Sequence, residues 1–309
     1  MRVLFTIIIL ISLLIVPAQA RNLTFTVAHH LTLAKDVVYS GYRDSITEIA
    51  GVPITSRSVI VLDAETGEII YEMKPLLKTP IASITKLMSL IIFIKSQTSL
   101  NNIIEAQNSD LENLNQYINE GDNISYLSFY PGDRMRVKDV VYTGMVRSSN
   151  NTVSMFVRAT GLGEEEFVRQ MNEYAQLLGM YDTHFTEPTG LDPKNVSTAR
   201  DVAILARHAF KNGFIRRVTT TKNYNFQTLD RGLYYQTSNT NGLLSMFQPT
   251  YYKVLGGKTG YLDESRFNIA TQIKNWQGKE VIVVVLGAET SAKRFHEAKN
   301  LAFAAFSEL

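Results

Sequence analysis

The stretch Pro80-Ile81-Ala82-Ser83-Ile84-Thr85-Lys86-Leu87-Met88 opens a strongly apolar run that reads as a helix to about Lys95. Ser83 falls in the first turn, where backbone N–H groups lack partners and the helix dipole favours developing negative charge. Lys86, three residues on, shares a face with the Ser83 hydroxyl. A serine becomes a useful nucleophile only beside a base, and a lysine serves as one when its pKa is lowered. Partial burial and a second cation nearby both lower it. Taken alone, the pair is also what a helix cap followed by a solvated lysine looks like.

Two later motifs give the pair its meaning. Ser148-Ser149-Asn150 lies between two apolar-periodic segments, Val137 to Val146 and Thr152 to Thr160, as a short polar loop. There Ser148 can pass a proton to a leaving amine and Asn150 can hold a substrate carbonyl. Asn151 reads equally well as a plain N-cap. Lys258-Thr259-Gly260 follows Gly256-Gly257 and precedes a β-type run, which places it at the start of a strand. Its glycines let backbone approach a ligand closely. An extended substrate can then lie antiparallel to this strand, its negative end toward Lys258 and Thr259. The alternative is a glycine-rich turn into an edge strand. Together, in this order, the motifs supply a complete acyl-transfer site.

The flanks suggest a frame for it. Arg57 to Leu62 and Glu68 to Glu72 are short β runs joined by Asp63-Ala64-Glu65-Thr66-Gly67, a hairpin signal. Phe267 to Ile273 and Glu280 to Leu286 repeat the design around Asn275-Trp276-Gln277-Gly278, which leaves the single Trp in a turn. Ala292 to Phe306 has helical spacing, with Phe295, Ala298, Leu301, Ala302 and Ala305 on one face. Between these ends the chain is mainly helical. Glu164 to Leu178 carries Phe167, Met171, Ala175 and Leu178 inward and stops at Gly179. Thr198-Ala199-Arg200-Asp201 looks like a capping box for a helix with Val202, Leu205, Ala206 and Ala209 inward. Residues 221 to 255 read as small strands and loops. An antiparallel sheet built from both chain ends follows, with helices on its faces and a mainly helical subdomain inserted.

Composition sets the outer bounds. The 309 residues are 45% hydrophobic and 19% charged with a net charge of +2, ordinary for a globular protein. Lys and Arg are scattered without a basic run, so nucleic acid is not an expected partner. Arg2, the apolar stretch Val3 to Val16 and Ala18-Gln19-Ala20 form a signal peptide over residues 1–20. The apolar stretch is short of the roughly 20 residues of a spanning helix. Cleavage leaves 30 basic and 29 acidic residues, +1, and no membrane anchor is expected afterwards. Residues 21–52 read as an N-terminal extension, with a short helix near Leu33 to Val38. There is no cysteine, which rules out disulfides, cysteine metal sites and a cysteine nucleophile. The five histidines, His29, His30, His184, His208 and His296, show no metal-ligand spacing.

The chain resembles the serine D-alanyl-D-alanine peptidases, the low-molecular-mass penicillin-binding proteins, over about residues 53–309. The resemblance rests on the three motifs and on Pro131-Gly132-Asp133, Thr189-Gly190-Leu191, Ser197-Thr198-Ala199-Arg200-Asp201 and Gly256 to Tyr261. It implies an α+β fold of the DD-peptidase/β-lactamase type: a five-stranded antiparallel sheet with helices on both faces and the site between sheet and helical subdomain. It implies Ser83 as nucleophile, Lys86 as general base and Ser148 as proton relay. Asn150 would position the peptide and Lys258 support the electrostatics. The backbone N–H groups of Ser83 and Tyr261 would form an oxyanion hole. Thr259, beside Gly260, and Arg294 would meet the terminal D-Ala carboxylate. Arg294 otherwise reads as a surface residue at a helix start. Peptidoglycan stem peptides are the implied substrates, β-lactams the covalent inhibitors, and no metal or cofactor is called for. The implied location is exported, periplasmic or cell-wall associated. Many members carry a second β-rich domain and an amphipathic C-terminal anchor; this chain stops at Leu309 and so resembles the short members, which include cross-link endopeptidases. Segment 105–130, rich in Asn, is expected as a loop near the cleft.

Two rival readings follow from the same residues. Glu187-Pro188 resembles the deacylating Glu of class A β-lactamases, although the Thr189-Gly190-Leu191 after it matches the peptidases. A catalytically idle β-lactam sensor or wall-binding protein would need the motifs without their turnover.

Overall fold

The computed structural model describes residues 48–49, 52–118 and 124–309. Five antiparallel strands form the central sheet: β1 (Ser58–Asp63), β2 (Ile69–Met73), β3 (Tyr252–Leu262), β4 (Arg266–Asn275) and β5 (Glu280–Ala288). Their spatial order is β3-β4-β5-β1-β2, so the two chain ends meet where β5 pairs with β1, from Val281 opposite Asp63 to Leu286 opposite Ser58. β1 reads Ser-Val-Ile-Val-Leu-Asp without polar alternation, the pattern of a strand covered on both faces. Alternate residues still divide by face. Ile60, Leu62, Ile282, Val284 and Leu286 enter one core, and Val59, Val61, Val281, Val283 and Val285 enter the other.

The first core is shared with the insertion between β2 and β3. It contains α1 (Thr85–Lys95), α2 (Val137–Val146), α3 (Asn150–Ala159), α4 (Glu164–Leu177), α5 (Ala199–Ala209) and α6 (Gly213–Thr220). α1 is buried at every position from Thr85 to Phe93, which explains an apolar composition all around the helix. The second core is closed by α7 (Ser291–Glu308), which buries Ala298, Leu301, Ala302 and Ala305.

The expected punctuation is present, with differences. Asp63 Oδ1 accepts the N–H groups of Glu65 and Thr66 at 2.8 and 2.7 Å in the β1–β2 turn. Gly179 ends α4. Thr198 Oγ1 caps α5 by accepting the Asp201 N–H at 3.1 Å. The Asp201 carboxylate does not close a box there; it accepts the Asp182 N–H and the Thr183 hydroxyl at 2.9 and 2.8 Å. Residues 221–255 form a hairpin, Asn223–Gln227 with Tyr234–Ser238, and a short helix, Leu243–Met246. Trp276 lies exposed in the β4–β5 turn.

Three placements correct the sequence reading. α3 begins at Asn150 rather than Thr152, so the amide of the second motif stands on a helix and not in a loop. Asn151 is no N-cap: its side chain accepts the Leu127 N–H and donates to the Leu127 carbonyl at 3.1 and 2.8 Å. Lys258 does not start a strand but sits inside β3, which begins at Tyr252. The glycines before it do not break the strand, because a bulge between Val254 and Gly256 absorbs the extra residue. A Cβ on Gly256 would meet the Phe210 ring at 2.3 Å, so packing demands the glycine there. Among the described residues β3 is an edge strand, paired only with β4.

The expected signal peptide, the helix near Leu33 to Val38 and His29 and His30 lie outside the described residues. Of the expected extension, Glu48–Ile49 is described and pairs with Val52–Pro53. Among the described residues no helix is long and apolar enough to cross a membrane.

Candidate active site

A 3-10 turn, Ala82–Ile84, runs directly into α1 and puts Ser83 at the N-terminal end of the buried helix. Ala82 holds φ at +50°, a left-handed conformation that a non-glycine residue adopts only when its surroundings enforce it. Two backbone segments enforce it. A Cβ on Gly190 would stand 2.1 Å from the Ala82 carbonyl oxygen, and one on Gly260 would stand 2.7 Å from the Ile81 carbonyl oxygen. The turn carrying Ser83 is therefore wedged between the Thr189-Gly190-Leu191 turn and the β3 edge. Glycine is the only residue that fits either flank.

Lys86, the second residue of α1, is fully buried. Its Nζ lies 2.8 Å from Ser83 Oγ and 2.7 Å from Asn150 Oδ1, and it also contacts the Thr189 carbonyl oxygen. Burial pulls the Lys86 pKa down to about 7, against a smaller upward pull from Glu187. The neutral amine has two N–H groups and one lone pair. Asn150 Oδ1 and the Thr189 carbonyl can only accept, so they take both N–H groups. The protonated amine donates to Ser83 Oγ as well; in the neutral form the lone pair is what remains for Ser83, whose hydroxyl can then donate to it. That is the geometry of a base about to take a proton.

Ser148 stands across the crevice, also with a left-handed φ, +65°. Lys258 Nζ donates to Ser148 Oγ at 2.9 Å and to the Thr259 carbonyl at 3.0 Å. Burial first, and then the charges of Lys86 and Arg294, hold the Lys258 pKa well below that of an ordinary lysine. Thr259 Oγ1 shares a hydrogen with Thr240 Oγ1 at 2.6 Å.

Arg294, in the first turn of α7, is buried rather than a surface residue. It donates to the carbonyls of Gly260 and Asn268 at 3.2 and 3.3 Å and to Ser291 Oγ at 3.1 Å. Its Nε is buried without a partner, and no carboxylate among the described residues pairs with it. Burial lowers its pKa to about 10. A buried guanidinium without a counter-charge is costly alone and favours an anionic ligand. Tyr261 stands half-exposed at the rim, its ring stacked on Phe267 at 4.4 Å.

These residues line one cleft of about 640 Å³ that includes Ser83, Ser148, Asn150, Thr259, Gly260, Tyr261 and Arg294. Lys86 and Lys258 lie beneath it through their bonds to Ser83 and Ser148. All nine residues singled out from the sequence thus converge. Segment 105–130 borders the cleft through Tyr117, Ile124 and Ser125, and the Ser125 carbonyl accepts the Asn150 N–H at 2.8 Å.

Sequence reasoning missed two contributors. The Thr189 carbonyl is a backbone group with no residue signature. Glu187, likened to a water-activating carboxylate, instead accepts the N–H groups of Thr189, Gly190, Leu191 and Asp192 and the Asn195 amide. Both its oxygens are occupied and it is fully buried, so it is no base for a water in the cleft. An acidic residue just ahead of a glycine turn is the signal that suggests such an anchor.

A family model described as D-alanyl-D-alanine carboxypeptidase matches residues 45–290. Among curated relatives, a D-alanyl-D-alanine carboxypeptidase of Bacillus subtilis is 27% identical over 260 residues, covering 82% of this chain and 62% of the relative. A D-alanyl-D-alanine endopeptidase of Pseudomonas aeruginosa is 32% identical over 163 residues, covering 50% of this chain and 49% of the relative. The chain thus spans about half to three fifths of the length of these relatives. The crystal structure of the Streptomyces K15 DD-transpeptidase superposes with a TM-score of 0.74 at 25% identity, over 85% of this chain and 100% of that one. A wedged serine over a buried lysine, on a sheet of this order, and a family match across most of the chain agree: the chain belongs to the D-alanyl-D-alanine carboxypeptidase family of serine peptidases.

Proposed function

We propose that the protein is an exported serine DD-peptidase that hydrolyses D-Ala-terminated peptidoglycan peptides, or the cross-links made from them, through an acyl-enzyme on Ser83. The observation that carries this is the fully buried Lys86 Nζ, 2.8 Å from Ser83 Oγ, whose pKa burial draws down to about 7.

In the proposed reaction Lys86 removes the Ser83 proton as Oγ attacks the carbonyl of the penultimate D-Ala. The Ser83 and Tyr261 N–H groups hold the oxyanion, a contribution of about 3 kcal/mol per donor. Ser148, bridged to Lys258, relays the proton taken up by Lys86 to the leaving amine as the peptide C–N bond breaks, which leaves Lys86 neutral again. Water then attacks the ester, giving a proton to Lys86, which returns it to Ser83 Oγ as the acyl C–O bond breaks. Arg294 and Thr259 hold the substrate carboxylate, and Asn150 orients the acyl chain while also holding Lys86. The edge position of β3 supports antiparallel docking of the stem peptide. A β-lactam enters the first half of the sequence and stays as a stable ester.

Fluorescent penicillin should label the wild type covalently and leave Ser83→Ala unlabelled; labelling of the variant would refute the nucleophile. Mass spectrometry of muropeptides separates loss of one D-Ala from conversion of dimer to monomer. Neither product, despite binding to peptidoglycan, would point to a non-catalytic wall-binding protein.

A further inference from the structure

Glu187 is the most heavily hydrogen-bonded carboxylate near the cleft, yet it hydrogen-bonds none of the nine site residues singled out from the sequence. Its Oε1 accepts from Gly190 N, Leu191 N, Asp192 N and Asn195 Nδ2, and its Oε2 accepts from Thr189 N. Four consecutive N–H groups converging on one carboxylate dictate the path of the backbone between them. That path has two outputs. The Thr189 carbonyl turns toward Lys86 Nζ, and Gly190 packs against the Ala82 carbonyl, leaving no room for a Cβ.

We propose that Glu187 is a positioning residue for acyl transfer: by gathering the N–H groups of residues 189–192 it holds the Thr189 carbonyl on Lys86 and so aims the Lys86 lone pair at Ser83. The proposal rests on Lys86 being the base for Ser83. Without the Thr189 acceptor, one N–H of the neutral amine loses its partner and the lone pair is free to rotate away. The same carboxylate acts through charge, since it favours the protonated amine. The charged and titratable groups around Lys86 are Glu187 on the turn and Lys258 on β3. Glu187 in turn acts on Tyr117 and Glu164, and Lys258 is acted on by Arg294; Asp192 acts on Tyr117 as well. Removing the Glu187 charge therefore makes Lys86 lose its proton at lower pH, while removing its geometry slows the proton transfer.

The test compares wild type, Glu187→Gln and Glu187→Asp, each checked for folding by circular dichroism. The rate of acylation by a fluorescent penicillin is measured against pH, and the Lys86 ¹³Cε resonance, assigned by its loss in Lys86→Arg, is titrated by NMR. Glu187→Gln should lower the acylation plateau about 100-fold, the cost of misplacing a catalytic group. It should also move both the acid limb and the Lys86 midpoint to lower pH, by roughly half a unit or more. Glu187→Asp keeps the charge but shortens the reach, so it should lower the plateau with the midpoint in place. A folded Glu187→Gln with a wild-type Lys86 midpoint, or a Glu187→Asp with a wild-type plateau, overturns the proposal. Should Glu187→Gln fail to fold, the Asp variant decides alone. A wild type that is never acylated at Ser83 would refute the peptidase function, and the NMR titration would still judge Glu187.

Discussion

Three basic side chains, Lys86, Lys258 and Arg294, are buried within one crevice, and burial lowers the pKa of each. The consequence is a site that works on the basic side of its lysine. Lys86 is a base only when neutral, and its pKa is about 7, so acylation should rise with pH through about 7 and level off above it. A stopped-flow pH profile with a β-lactam checks this; a flat profile between pH 5 and 8 would exclude Lys86 as the base. Lys86→Arg retains a cation that cannot deprotonate, and should cost about 100-fold or more in acylation. Arg294→Ala should lower kcat/KM for a D-Ala-terminated peptide by about 10- to 100-fold, the worth of one or two charge-assisted hydrogen bonds. The same variant should handle the C-terminal amide like wild type, because the charge it recognises is gone. Ser83 and Lys86 were legible because a serine and a lysine at helical spacing carry chemistry in their types, whereas Arg294 was reached only through the family resemblance. The Thr189 carbonyl was not legible, since every residue has one and only the fold aims it.

At the level of elements, the site is a turn gripped from two sides. Gly190 has φ at +84° and lies against the Ala82 carbonyl. Gly190→Ala therefore meets both backbone strain and a steric block, and should destabilise the protein by about 3 kcal/mol or more. Thermal unfolding and penicillin labelling read this together; an alanine variant with wild-type Tm and labelling would show that the turn is not gripped. The helices and strands themselves were largely readable, because α4, α7 and the two flanking hairpins have clear periodicity and clean turn signals. The errors fell where tertiary packing overrides local preference. Gly256-Gly257 looked like a break, but Phe210 fills the space that a side chain on Gly256 would take, and β3 continues past the bulge at Val254/Gly256. Asn150 looked like loop because its neighbours are polar, yet the Ser125 carbonyl and Lys86 fasten it at the head of α3.

For the molecule as a whole, the sheet is a wall between two cores, and the proposed catalytic groups stand on one side and at its edge. Leu87 on α1 belongs to one core and Leu301 on α7 to the other. Each Leu→Ala substitution should cost about 2–5 kcal/mol. With the sheet between them their effects should add within roughly 0.5 kcal/mol. Denaturant titration of the single and double variants checks it, and strong coupling would mean the two cores communicate through the sheet. The sequence predicted this wall in outline, from β runs at both ends and helices between, but not that its seam is β5 against β1.

That seam has a consequence in time. Thr55 hydrogen-bonds Glu297 across 242 positions of chain, and β1 finds its second neighbour only when β5 exists. Contacts so distant in sequence carry a large entropic toll before they reward the chain, so folding should be slow and completed late. During synthesis, Ser83 and Lys86 emerge long before the strand that flanks them, so a polypeptide ending ahead of β3 lacks Lys258 and one wall of the crevice and should not react with penicillin.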